Sequence, residues 1–141
     1  MKKSKGIIVS GYFNPLHKGH IELFKKAKKL GDFLIVIVNN DKQRKLKGSK
    51  EFMLEDERVL LINELGVTDH VLLSVDNDRT VCKSLEQVKK RFGNKYDLYF
   101  ANGGDQNNDS IPEIDICNNL NINLIEGLGD KIQSSSWILK K

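Results

Sequence analysis

Two histidines three positions apart near the amino terminus are the residues whose spacing most clearly suggests chemistry. His17 and His20 open a stretch with helical periodicity, so both side chains can lie on one face of the first helical turn. Free backbone N–H groups and the positive end of the helix dipole meet there, which favours anions and disfavours an imidazolium. We therefore predict that both imidazoles are neutral hydrogen-bond donors directed at phosphate oxygens.

The same loop admits other interpretations. Gly11 and Gly19 are expected to let a ligand approach the backbone closely. In a purely structural alternative, His17 caps or packs and His20 is a core histidine. A metal site completed by His70 or a cysteine is a third interpretation, but two histidines are only half a zinc site and no third ligand has convincing spacing.

Residues 11–20 read GYFNPLHKGH. This decapeptide resembles the signature Gly-x-Phe-Asp-x-x-His-x-Gly-His of the nucleotidyltransferase superfamily, which contains cytidylyltransferases for glycerol 3-phosphate, phosphocholine and phosphoethanolamine. The superfamily also includes adenylyltransferases that act on heptose phosphate, phosphopantetheine, nicotinamide mononucleotide and flavin mononucleotide. The resemblance implies that the two histidines are catalytic and that Gly11, Tyr12, Phe13, His17 and His20 contact the nucleotide. Asn14 replaces the usual aspartate, which keeps the hydrogen-bonding shape and loses a charge.

A basic segment after the second predicted strand resembles the family loop whose lysine reaches the triphosphate. Lys47, in the run Leu-Lys-Gly, best matches that position, and the resemblance implies a catalytic role for it. Lys42 and Lys45 are competing candidates. A solvated surface lysine is the alternative interpretation of Lys47.

The resemblance also implies an acceptor-binding group made of Asn14, Asp41 and Arg58. Arg58 stands where family members place an arginine that pairs with the phosphorylated acceptor. An exposed helical arginine bonded to Glu55 is the alternative.

Two later segments resemble further nucleotide-binding parts of the family. Gly104 and Asp105 follow the fourth predicted strand, where glycines admit the nucleotide and a carboxylate can bond ribose hydroxyls. Ser134, Ser135 and Ser136 resemble the second signature, Ile-Ser-Ser/Thr-Thr-x-Ile-Arg, although Gln133 and Leu139 depart from it. A tight turn capped by Asp105 and a serine N-cap are the respective alternatives.

Together these segments imply a reaction that joins an acceptor phosphate to the α-phosphate of a nucleoside triphosphate and releases pyrophosphate. We expect CTP as the nucleotide, with ATP as the alternative, and Mg²⁺ bridging the phosphates. The expected acceptor is a polyol, sugar or amino-alcohol phosphate. A catalytically silent nucleotide-binding regulatory module is a competing hypothesis, and a homodimer is expected by analogy with the family.

Charge and composition limit the classes of binding partner that we expect for this protein. The net charge is +4, but residues 1–50 hold 13 Lys and Arg against 3 Asp and Glu, so an anionic partner should meet this third of the chain. Nucleic acid is not expected, because stacking aromatics do not interleave with the basic residues. The longest apolar run, residues 33–38, falls short of the roughly 20 residues of a membrane helix, and no signal-peptide core follows the amino terminus. We therefore expect a cytoplasmic protein without a membrane partner.

Alternating strand and helix patterns predict the elements that must hold these residues. Strands are predicted at 7–9, 33–38, 70–74, 96–101 and 122–125, and helices at 18–30, 55–65, 81–92, 111–120 and 135–140. Residues 41–50 are predicted to be a polar, basic loop. The alternation indicates an α/β fold, a Rossmann-like, doubly wound, parallel five-stranded sheet, in a single domain over residues 1–141. Ligands in such a fold bind beyond the carboxyl ends of the strands.

Overall fold

The chain forms a parallel sheet with helices on both faces. The structure is a computed structural model, and it describes residues 3–48, 50–101 and 111–125. The elements are, in chain order, β1 (Ser4–Gly11), α1 (Lys18–Lys29), β2 (Phe33–Val38), α2 (Asp41–Lys47), α3 (Glu55–Asn63), β3 (His70–Leu73), α4 (Cys82–Phe92), β4 (Tyr96–Ala101), α5 (Ile111–Leu120) and β5 (Asn123–Ile125). The strand order is β3-β2-β1-β4-β5, and all pairings are parallel. The predicted doubly wound α/β fold is confirmed; the predicted helix at 135–140 lies outside the described residues.

Two hydrophobic cores lie on opposite faces of the sheet because successive side chains of a strand alternate in direction. Ile7 and Val9 of β1 pack with Phe24 of α1 and Ile62 of α3. Ile8, between them in sequence, packs on the other face with residues of α4 and α5. Among the helices built from described residues, none has the length and apolar character needed to cross a membrane.

The predicted loop at 41–50 is wrong over most of its length, because residues 41–47 form α2. Asn40 caps this helix: its Oδ1 accepts from the Gln43 N–H at 2.8 Å, and Gln43 Oε1 accepts from the Asn40 N–H at 2.9 Å. Gly48, at φ +83°, ends it. The helix buries the polar side chains of Gln43 and Arg44, so the sequence shows no apolar periodicity there.

The topology places one loop at the crevice of the sheet. β1 pairs with β2 on one side and with β4 on the other, so the strand order reverses at β1. Ligands of doubly wound sheets bind at this reversal, outside the carboxyl ends of the strands. Because β1 ends at Gly11, residues 12–17 lead away from that crevice into α1.

A buried aspartate organises the loop that follows β3. Asp76 is 2% exposed, and its Oδ2 accepts from the Lys83 N–H at 2.7 Å while its Oδ1 accepts from the Ser84 N–H at 3.0 Å. These donors belong to the first turn of α4, where helical N–H groups have no partner within the helix. Asn40 Nδ2 donates to the Ser74 and Asp76 carbonyls, each at 3.0 Å, and so joins this loop to α2.

Replacing Asp76 should therefore destabilise the fold. We expect Asp76→Ala to lower the free energy of unfolding by about 2–3 kcal/mol, because two helix N–H groups lose a buried acceptor. Urea denaturation followed by circular dichroism measures the effect. Asp97→Ala, at an exposed position of β4, is the matched control and should stay within about 0.5 kcal/mol of the parent. Equal denaturation midpoints for the two variants would contradict this assignment.

Candidate active site

The two histidines cap the first helix reciprocally. His17 is the N-cap of α1, and its Nδ1 accepts from the Gly19 N–H at 3.1 Å. The Nδ1 atom of His20 accepts from the His17 N–H, also at 3.1 Å. The rings stack with centroids 3.8 Å apart. The structural interpretation of His17 as a cap is confirmed, and the same arrangement brings both imidazoles to the start of α1.

This cap fixes the tautomer of each ring. A backbone N–H can only donate, so both Nδ1 atoms carry lone pairs, and in the neutral imidazoles the proton lies on Nε2. Burial, and to a smaller extent the nearby His17, lower the pKa of His20 from 6.5 to about 4. His20 is therefore neutral at pH 7. The pair offers two Nε2–H donors beside the positive end of the α1 dipole.

The aromatic ring of Phe13 packs against His20. Phe13 is 3% exposed, contacts His20 edge-on at a centroid distance of 4.9 Å, and packs against Phe24 at 5.3 Å. The Phe13 ring therefore belongs to the core, and the predicted nucleotide contact of this residue stays a prediction. Gly11 was expected to admit a ligand, but a Cβ there would lie 2.9 Å from the Phe13 ring. Gly11 therefore makes room for Phe13.

The buried side chain of Arg58 joins α3 to the loop after β1, the loop after β2 and the segment before α3. Its side chain is fully buried, and its guanidinium donates to the carbonyls of Met53 at 3.0 Å, Tyr12 at 2.7 Å and Asn39 at 2.6 Å. Nη2 donates to Asp41 Oδ1 at 2.6 Å. The alternative of an exposed arginine bonded to Glu55 is wrong.

These contacts also change the predicted acceptor site. Arg58 has no exposed surface with which to meet an acceptor, and Asp41 uses one oxygen for Arg58 and the other for the Glu55 N–H at 3.2 Å. The full burial of Arg58 gives this residue a structural role in place of direct acceptor binding, whereas the acceptor contact of Asp41, whose side chain is 23% exposed, stays a prediction. The pair holds the loops after β1 and β2 against the start of α3.

Asn14 is likewise engaged with the protein backbone. Its Oδ1 accepts from the N–H groups of Phe52 and Met53, both at 2.9 Å, and its Nδ2 donates to the Lys50 carbonyl at 2.7 Å. This amide therefore attaches residues 50–53 to the loop between β1 and α1, and its predicted acceptor contact stays a prediction.

Lys47 lies beside the loop between β1 and α1. Its Nζ is 4.4 Å from the centroid of the Tyr12 ring, a cation–π distance. Tyr12 is half-buried and precedes Phe13 in the loop after β1. The catalytic role of Lys47 and the nucleotide contact of Tyr12 stay predictions. The carbonyl of Lys50 accepts from Asn14. The sequence did not single out Lys50 as a neighbour of this loop, because nothing in its local sequence distinguishes it from other lysines.

Several predicted residues lie outside the described residues: Gly104, Asp105, Ser134, Ser135 and Ser136. Within the described ranges, no group of three or more His, Cys, Asp or Glu side chains is placed to hold a metal ion. His70 packs against Phe92 of α4, on the opposite face of the sheet from α1, and so lies away from the histidine pair. Asp41 is paired with Arg58, and Mg²⁺ bridging the phosphates stays an expectation.

Comparison with known proteins identifies the family. A family model described as cytidylyltransferase-like matches residues 8–125. The chain belongs to the cytidylyltransferase-like family. The resemblance inferred from residues 11–20 is thereby confirmed, and with it membership of the nucleotidyltransferase superfamily.

Two similar proteins with different names illustrate the range of relatives. FAD synthase of Picrophilus torridus is 34% identical to this chain over 83 residues, which are 59% of this chain and 58% of that protein. Bifunctional protein HldE of Helicobacter pylori strain P12 is 36% identical over 91 residues, which are 63% of this chain and 19% of that protein. The chain thus spans little more than half the length of the first of these curated relatives.

A solved structure matches over a larger share of both chains. The crystal structure of the lipopolysaccharide core biosynthesis protein from Thermoplasma volcanium GSS1 superimposes with a TM-score of 0.71 at 31% identity. The match covers 87% of this chain and 93% of that one.

The protonation of His20 is open to direct measurement. Nitrogen-15 NMR of the imidazoles should show the Nε2–H tautomer and a titration midpoint near 4, against 6.5 for the unperturbed side chain. The folded state binds fewer protons than the unfolded state in this range, so this group's contribution to stability is full above pH 6.5 and is lost as pH falls towards 4. The same histidine in urea-unfolded protein is the control. A folded-state midpoint near 6.5 or an Nδ1–H tautomer would refute the assignment.

Removing the Arg58 side chain should cost stability because it leaves the partly buried Asp41 carboxylate and three carbonyls without their donor. We expect Arg58→Met to lower the free energy of unfolding by about 3–5 kcal/mol. Arg91→Met, at an exposed position of α4, should cost less than about 1 kcal/mol. Urea denaturation compares the two variants. An unchanged midpoint for Arg58→Met would show that the buried guanidinium does not hold these segments together.

Proposed function

We propose that this protein transfers a nucleotidyl group from a nucleoside triphosphate to the phosphate of a small phosphorylated acceptor. The single observation that carries the proposal is the reciprocal histidine cap, which directs two neutral donors to the start of α1. Membership of the cytidylyltransferase-like family supports the class of reaction.

In the proposed step, an acceptor phosphate oxygen forms a bond to the α-phosphorus and the bond from that phosphorus to the bridging oxygen of the β-phosphate breaks. Pyrophosphate leaves with the bonding electron pair. The acceptor is already an anionic nucleophile at neutral pH, so the protein has to align the reactants and stabilise developing negative charge. His17 and His20 would donate through Nε2–H to phosphate oxygens, because both Nδ1 atoms are occupied by backbone donors.

Lys47 is proposed to add positive charge at the triphosphate. Its ammonium lies against Tyr12, in the loop that leads to the histidines, whereas the structure gives Lys42 and Lys45 no such contact with that loop among the described residues. The high charge density of residues 1–50 supports an anionic substrate at this edge of the sheet. Mg²⁺ is expected to arrive with the triphosphate, since the described residues provide no site of their own for it.

ATP is the nucleotide that we now propose, in place of the CTP expected from the sequence. The relatives named FAD synthase make a product that contains an adenylyl group, and their similarity to this chain supports adenylyl transfer. The acceptor is proposed to be a phosphorylated small molecule, such as a sugar or polyol phosphate or a flavin phosphate. CTP is retained as the competing nucleotide in the experiment.

The decisive experiment separates the chemistry of His17 from its role as a helix cap. In His17→Asn, the amide oxygen can still accept from the Gly19 N–H, but the Nε2–H donor is lost. We expect unfolding stability to change by less than about 1 kcal/mol and turnover to fall about 10²–10³-fold. Pyrophosphate release is measured with ATP and with CTP against phosphorylated alcohols, sugars, amino alcohols and flavins.

His70→Ala is the control for loss of a histidine on the other face of the sheet, and its turnover should remain close to that of the parent. Near-normal turnover in His17→Asn would overturn the proposed mechanism. Nucleotide binding without pyrophosphate release on any acceptor would instead favour the regulatory module considered from the sequence.

A further inference from the structure

The Asn14 amide uses both of its hydrogen-bonding functions on one short segment. Its oxygen accepts from Phe52 and Met53 at 2.9 Å each, and its nitrogen donates to the Lys50 carbonyl at 2.7 Å. A carboxylate could accept the first two bonds but would face the Lys50 carbonyl with a second oxygen. The surroundings of residue 14 in this chain therefore require an amide, which gives the departure from the family aspartate a physical reason.

A second side chain holds the same segment from the other end. The Met53 carbonyl accepts from Arg58 Nε at 3.0 Å, and the same guanidinium donates to the Tyr12 carbonyl at 2.7 Å. Residues 50–53 are thus joined to the loop before the histidines through Asn14 and through Arg58. Asn14 lies three positions before His17, so the backbone of Lys50 is attached to the loop that leads to the histidine pair.

The side chain of Lys50 is exposed and lies over the Phe52 ring, with Nζ 5.8 Å from the ring centroid. The neighbouring carboxylates are already matched with arginines. Glu51 lies 3.3 Å from Arg44, and Asp41 pairs with Arg58. Among the described residues the Lys50 ammonium has only this contact with an exposed ring, so redirecting it towards a phosphate costs little.

We propose that Lys50 is a second phosphate-binding lysine of this site and that Asn14 is the positioning residue that places it there. The inference rests on the proposed function, since it assumes a nucleoside triphosphate beside the histidine pair. It adds to that function a residue that the sequence pattern did not select.

Hydrogen exchange tests the positioning part without any need for turnover. In Asn14→Ala, the amide protons of Phe52 and Met53 should exchange at least about tenfold faster than in the parent, because their acceptor is removed. Asn94→Ala makes the same chemical change at an exposed position before β4 and should leave both rates unchanged. Unchanged exchange in Asn14→Ala would overturn the positioning role.

Calorimetry with ATP tests the phosphate contact. We expect Lys50→Met to weaken ATP binding about tenfold, as loss of a charged donor should, whereas Lys45→Met on α2 should weaken it less than about twofold. If Asn14 acts through Lys50, the effect of Lys50→Met should shrink to less than about threefold in the Asn14→Ala background. Additive effects, or equal effects of Lys50→Met and Lys45→Met, would overturn the proposal.

These outcomes separate the inference from the proposed function. ATP binding that depends on Lys50, together with the absence of pyrophosphate release, would support the inference and contradict the reaction. Normal pyrophosphate release in Lys50→Met with unchanged ATP affinity would support the reaction and overturn the inference. The failure of ATP and CTP alike to bind the parent protein would overturn both.

Discussion

The buried guanidinium of Arg58 is the interaction on which the arrangement of this site depends. A charged group in a protein interior is tolerated only where hydrogen bonds and an opposite charge replace its water. Arg58 satisfies this condition with Asp41 and with three carbonyls, and these partners lie in three stretches of the chain, after β1, after β2 and before α3. The desolvation requirement of one side chain therefore dictates how the loops after β1 and β2 meet the segment before α3.

The histidine pair shows how local structure can select a chemical state. The N–H groups at the start of α1 need acceptors, and two imidazole nitrogens supply them. An imidazole that accepts through Nδ1 must carry its proton on Nε2, and partial burial keeps His20 in the neutral form. Capping and chemistry are thus compatible in one side chain, because the two ring nitrogens point in different directions.

The parts of the fold that the sequence predicts are those with local causes. The apolar run at 33–38 indicates a strand buried on both faces, and the helical periodicity after His17 indicates α1; both are confirmed. α2 was not predicted because it is held by Asn40 and Gly48 at its ends and buries polar side chains. The contacts of Arg58 and Asn14 were not predicted because their partners lie up to 46 positions away, and no spacing rule encodes such pairs.

Arginine and lysine have different roles in this part of the chain because their cationic groups differ chemically. The guanidinium is planar and offers several donors in fixed directions, so the fully buried Arg58 can hold several backbone carbonyls at once. An ammonium is a compact charge on a flexible stem, and Lys47 and Lys50 stay exposed over aromatic rings. The buried guanidinium of Arg58 therefore holds the loops in place. The ammonium groups of Lys47 and Lys50, which can move with a ligand, face the solvent. An anion that bound here would therefore meet exposed ammonium groups on flexible stems, next to loops that the buried Arg58 holds in place.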